Sequence, residues 1–171
     1  MADATVTFEL REIDAVKRLL ANAALDSGDR GQLLQSIGYA MEAQTRGRFD
    51  TKRSPEGDSW QALAQRTQDY YAEEGLGHRS LLVGSGMLHG SVTHEVEGGA
   101  WSVLVGATME YAAVHQFGAT IRPRTARALA VPGIGMLRKA TIPARPYLGV
   151  SREDAGEIAS LAAAFLAGGL G

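Results

Sequence analysis

The sequence predicts an α+β fold, with helices, a small antiparallel β-sheet and a projecting β-ribbon or loop arm. Three observations carry this. Residues 91–97 and 101–107 are two β-prone runs joined by a glycine-rich turn, the pattern of a hairpin. Residues 30–48 and the stretch after Ser151 place apolar side chains at helical spacing. Residues 119–142 do neither, mixing Pro123, Pro132, Gly133 and Gly135 with arginines and short β-prone flanks. At 171 residues the chain suits one domain, spanning 1–171, with an extended arm at about 119–142.

The elements follow in order. In "ATVTFEL" (4–10), Val6, Phe8 and Leu10 alternate with Thr5, Thr7 and Glu9, which reads as a strand. In 12–25, Ile13, Val16, Leu19 and Leu20 form one stripe of a helix. "SGDRG" breaks it. A helix over 30–48 carries Leu33, Leu34, Ile37, Ala40 and Met41, and its distal end is polar until Phe49. Residues 50–60 are a loop with Pro55 and Gly57. Asp58 or Ser59 there is expected to cap a short helix that begins with Trp60 and Leu63 and reaches Tyr70. Residues 73–86 are irregular. After the hairpin, "MEYAAVHQFG" (109–118) is a short helix ended by Gly118. Beyond the arm, Pro143 and Pro146 stiffen an extended segment. The last helix starts at Ser151, which forms a capping-box pattern with Asp154, and its apolar stripe is Ile158, Leu161, Ala162, Phe165 and Leu166.

Composition narrows the function. Hydrophobic residues make up 45%, enough for a core. There is no cysteine, which excludes disulfides, thiol nucleophiles and cysteine-ligated metal, and fits a reducing cytoplasm. "MADATVTFEL" has no signal-peptide pattern, and no apolar run approaches the roughly 20 residues of a membrane span. The expectation is a soluble intracellular chain with no membrane partner. Net charge is −2, but it is unevenly spread. From Tyr111 to Arg152 there is no acid and there are seven bases, leaving ten basic and nineteen acidic residues elsewhere, a net of −9. Such asymmetry suits an acidic surface or a polyanion, or is simply a solvated loop.

Chemistry-bearing patterns are sparse. The histidines, His78, His89, His94 and His115, contain no H-E-x-x-H metal motif. Ser85 in "VGSGM" lacks the strand–turn–helix context of a nucleophile elbow. "GLGHRSLLVG" is not a dinucleotide fingerprint, and "PGIGMLRK" lacks phosphate-loop spacing. Asp50, Glu56 and Asp58 miss the calcium-loop pattern. No catalytic, metal or cofactor-binding residue is assigned. The remaining conspicuous group is His115, four residues after Tyr111, which reads as a packed or interfacial side chain near a loop that meets a partner.

Three stretches together resemble one family. "RFDTKRSPEGDSWQAL" is similar to its Arg-Phe, then Pro-x-Gly-x-x-Trp-x-x-Leu block. "LLVGSGMLHGSV" followed by "VLVGATMEYAAVHQFG" is similar to its Gly-x-Leu-x-x-Ser, then Tyr-Ala-x-x-His-Gln-x-Gly block. "TIPARPYLGVS" is similar to its Ile-Pro-Ala-Arg-Pro-aromatic-Leu-Gly block. The family is the phage virion morphogenesis, or tail completion, proteins of Mu-like and P2-like phages, and the similarity covers about residues 45–155. Tyr147 stands where phenylalanine is common, and the arm lies outside every motif.

The resemblance implies a sheet packed on helices and a structural virion protein of the head–tail junction, not an enzyme. It implies a homo-oligomeric ring, with six copies expected, that completes or terminates the tail and joins it to the head. Its partners would be other copies and other neck and tail proteins, with assembly in the host cytoplasm. Candidate interface residues are Trp60, Tyr111, His115, Phe117, Arg122, Arg124, Arg127, Arg145 and Tyr147. Pro143 and Pro146 would preorganise Arg145 and Tyr147 as anchors, and Trp60 is either an anchor or a core lid. Passing DNA is a possible transient contact. The alternative function is a nucleic-acid-binding module using 111–152, although only Phe117 and Tyr147 supply aromatics there for base stacking.

Overall fold

The computed structural model describes residues 27–76, 80–97, 102–131 and 133–168. The strand expected at 4–10, the helix at 12–25 and the hairpin turn at 98–101 lie outside them. Over the described residues the chain is α+β, as the sequence patterns predict. Helix α1 spans Ser27–Thr51. The short helices α2 (Gln65–Glu73) and α3 (Met87–Gly90) follow. Strands β1 (Val92–Val96) and β2 (Val103–Ala107) pair antiparallel, with Val92 opposite Ala107. Helix α4 is Ala112–Phe117, ended by Gly118 at φ 73°.

The arm is a two-tier ribbon. At its root, β3 (Ala119–Ile121) pairs antiparallel with β6 (Ala140–Ile142). Further out, β4 (Leu129–Val131) pairs with β5 (Gly135–Leu137). These strands pack chiefly on each other. Residues 143–150 then run as an extended strap into α5 (Arg152–Leu166). The capping box of α5 is complete. Ser151 Oγ accepts from Asp154 N at 3.0 Å, and Asp154 Oδ2 accepts from Ser151 N at 2.6 Å.

Helix α1 is the axis on which the rest is built, lying against β1, β2 and α5. Its first half buries Leu33, Ile37 and Met41 against Ile158 and Ala162 of α5, with Val103 and Val105 of β2 alongside. Its last turn enters a second cluster of Phe49, Trp60, Leu88, Val92, Ala107, Ala112, Tyr147 and Leu148. Fully burying side chains of this size is worth about 1.5–3 kcal/mol each. Between the clusters, polar side chains of α1 fasten β1. Glu42 Oε1 accepts from His94 N at 2.8 Å and lies 2.6 Å from His94 Nδ1. Arg46 pairs with Glu42 Oε2 at 2.9 Å and donates to Val92 O at 2.6 Å. His94 sits so close over α1 that a Cβ on Gly38 would stand 2.1 Å from its Cδ2. Glycine is therefore required in mid-helix, despite its cost of about 1 kcal/mol relative to alanine.

One local expectation fails. The helix expected from Trp60 begins at Gln65, and neither Asp58 nor Ser59 caps it. The loop instead folds on itself. Trp60 N donates to Lys52 O at 2.8 Å, Ser54 N donates to Asp58 O at 2.8 Å, and Arg53 bridges Ser59. Residues 61 and 62 stay outside the helix, where a distant side chain takes their carbonyls. One face of the polar distal end of α1 is interior, since Thr45, Arg48 and Phe49 are buried while Ala43 and Gln44 are exposed.

The buried contact between Arg48 and Asp154 joins α1 to the start of α5, with Arg48 Nη2 donating to Asp154 Oδ2. Removing one partner strands the other charge in the interior. Asp154→Ala is expected to lower unfolding stability by about 3–5 kcal/mol, measured by urea denaturation. A loss below about 1 kcal/mol, the scale of exposed pairs, would contradict the burial of this pair.

Candidate functional site

The strap at 145–149 has no neighbouring strand, yet its backbone polar groups need partners once buried. Side chains supply them. The Gln116 amide of α4 accepts from Tyr147 N and Leu148 N at 3.0 Å each, and donates to Leu148 O at 3.0 Å. One side chain thus does the work of a β-strand edge. Arg48 Nη1 donates to Tyr147 O and Gly149 O, both at 2.9 Å. Trp60 Nε1 donates to Pro146 O at 2.8 Å. Arg145 N donates to His115 O at 2.7 Å, which seats the strap on the end of α4. Arg145 Nε and Nη2 reach Gln61 O and Ala62 O at 2.9 and 3.3 Å, ahead of α2. Phe49 stacks edge-on to Trp60 and His89, and tilted to Tyr147.

This knot divides the nine expected interface residues. Trp60, Arg145 and Tyr147 are interior, Tyr147 with no exposed surface. The sequence suggests Arg145 and Tyr147 as anchors presented to a partner, and Trp60 as either an anchor or a core lid. Their partners are instead in the same chain, so Trp60 is a core lid and Arg145 and Tyr147 are internal struts. Tyr147 OH donates to Ala112 O at 3.3 Å, and burial pushes its phenol up to about 12. Arg48, Gln116 and Asp154 complete the knot and were not among the expected residues. Arg48 and Gln116 stand inside the quoted motifs, and Asp154 was read only as a cap.

Of the other six, five are exposed and His115 is half-buried. Phe117 is 61% exposed, and Tyr111 and Ile121 are exposed beside it in sequence on α4 and β3. Arg122, Arg124 and Arg127 are exposed on the arm and form no ion pair among the described residues. His115 is half-buried, edge-on to Tyr111 at 5.8 Å, and its Nδ1 is buried with no hydrogen-bond partner among the described residues. Burial, and secondarily the Arg145 charge, hold the His115 imidazole below its ordinary value. A neutral ring results at neutral pH. Among the described residues no carboxylate pairs with the histidine, and no three His, Cys, Asp or Glu side chains converge as a metal site requires. The surface offers aromatic and cationic contact.

Two titrations check this geometry. His115 has a folded value below the unfolded 6.5, so its contribution to stability is full above that pH and is lost as pH falls through and below it. His115→Gln should therefore lose less stability than the parent between about pH 7.5 and about pH 5.5, read from urea midpoints. Equal slopes contradict a buried neutral imidazole. Tyr147 should ionise only near pH 12. Comparing alkaline ultraviolet titrations of the parent and Tyr147→Phe should show the lost step there. A step lost near 10, the ordinary value, contradicts the buried phenol.

Among known proteins, the model of the phage virion morphogenesis family matches residues 11–167. No curated protein and no solved structure matches the chain.

Proposed function

The chain belongs to the phage virion morphogenesis family, and from that premise we propose that it is a non-enzymatic component of the head–tail junction of a Mu-like or P2-like phage. It assembles as a homo-oligomeric ring, most simply of six copies, that completes or terminates the tail. The arm makes contact between copies.

The observation that carries this reading is the separation of charge and exposure. The arm presents Arg122, Arg124 and Arg127 to solvent without ion-pair partners among the described residues. Outside residues 111–152 the chain holds ten bases against nineteen acids. A ring needs heterologous contacts, in which one surface meets a different surface of the next copy. A basic arm and an acidic body are such a pair. The planar guanidinium fork suits fixed carboxylates better than a moving polyanion. Beside the arm root, Phe117 and Tyr111 supply the aromatic area that interfaces favour.

Native mass spectrometry tests this. The parent protein should run as a ring, and the triple variant Arg122→Glu, Arg124→Glu, Arg127→Glu as monomers, because like charges then meet across the interface. Intact rings from the variant, with infectious particles reduced, would place these arginines along the path of DNA instead. A parent protein that stays monomeric at all concentrations contradicts the ring.

A further inference from the structure

The arm has a composition that its basic root does not suggest. Between Arg127 and Arg138, residues 128–137 carry no charge at all, and β4 and β5 close over them as an apolar hairpin tip. The turn at the tip is tight, with Ile134 N donating to Val131 O at 3.0 Å and Gly133 at φ 70°. Leu129 and Leu137 pair across the hairpin and are half-covered, while Met136, opposite Ala130, is 68% exposed.

The tip meets helix α2 at Tyr70. The Tyr70 ring of α2 lies against the Gly133 backbone so closely that a Cβ there would stand 2.0 Å from Cδ2 and 2.2 Å from Cγ. Only glycine admits the ring, and only glycine is unstrained at that φ. Helix α2 buries no residue of its own, so its tyrosines are not explained by a core. With Glu74 at its end, it carries Asp69, Glu73 and Glu74 against Arg66 alone, whereas Arg127, Arg138 and Lys139 flank the tip. Tip and helix are complementary in both shape and charge.

We propose that the Tyr70 face of α2 is a seat for the apolar arm tip, filled by the chain's own tip when isolated and by the neighbouring copy's tip in the assembled ring. This rests on the ring reading above and names its contact. Exchange of an identical element between copies makes the same contact without a new surface, so it is a low-cost route to assembly. The arm's strands pack chiefly on each other, so leaving the seat disrupts none of the core clusters.

The chain has no cysteine, so an introduced pair is its only route to a disulfide. In the double variant Tyr70→Cys, Gly133→Cys, the second sulfur enters the space vacated by the ring, within disulfide reach. Oxidised when dilute, it should give an internally linked monomer. Oxidised as assembled rings, whose mass is checked in parallel, it should give a ladder of covalent multimers on a non-reducing gel. Rings with only internal links, or with no links, overturn the exchanged seat and leave the ring reading standing. Failure of the parent protein to form rings overturns both. Tyr70→Cys, Ile134→Cys retains Gly133 and repeats the test if the first pair folds poorly.

Discussion

One guanidinium holds three segments together. Arg48, near the end of α1, donates to two carbonyls of the strap and to the carboxylate that also caps α5. Taking it out of water lowers its affinity for a proton, and the Asp154 charge opposes that loss. It stays charged, as arginine does in proteins. The arrangement is stable because the remaining polar groups around it are also satisfied, which is what makes a buried charge tolerable. Through Arg48 the strap is fixed, and through the strap so are α4, the 52–62 loop and the root of the arm.

That fixed root gives the arm its direction. Gly118 turns the chain out of α4 so close to the strap that a Cβ there would stand 2.8 Å from Ala144 N. The two ends of the ribbon therefore leave the body side by side, clamped by the Arg145 N to His115 O bond. The stretches that carry the family resemblance meet at this knot. Arg48, Phe49 and Trp60 come from the first, Ala112, His115 and Gln116 from the second, and Arg145, Tyr147 and Leu148 from the third. They build the platform. The arm, which no motif covers, carries the exposed cations and the apolar tip that would meet other copies.

What could be read from the sequence follows from how local each signal is. The stripe of Leu33, Ile37 and Met41, the hairpin around 92–107 and the Ser151–Asp154 box are patterns within a few residues, and the structure has all three. The end of α4 at Gly118 was legible for the same reason. The burial of Arg145 and Tyr147 was not, and that of Trp60 was one of two open alternatives. Their partners lie far along the chain, Trp60 to Pro146 across 86 positions and Arg48 to Asp154 across 106. An arginine and two aromatics in short motifs look alike whether they face a neighbour or the interior. The helix start at Trp60 was misplaced by the same blindness, since Arg145 takes the carbonyls of residues 61 and 62 from 84 and 83 positions away. Among the outward residues, the cluster of arm arginines was legible from the acid-free stretch at 111–152, whereas the Tyr70 seat left no sequence signal.

The proposed ring at the head–tail junction joins its copies through an arm carried on a motif-built body. Averaged electron-microscopic imaging of intact particles tests it most directly, at a resolution that traces the chain. The account predicts a closed ring of this chain between head and tail, with residues 119–142 of each copy lying against the next. Density for the chain elsewhere in the particle, or a ring in which those residues touch no neighbouring copy, would contradict it.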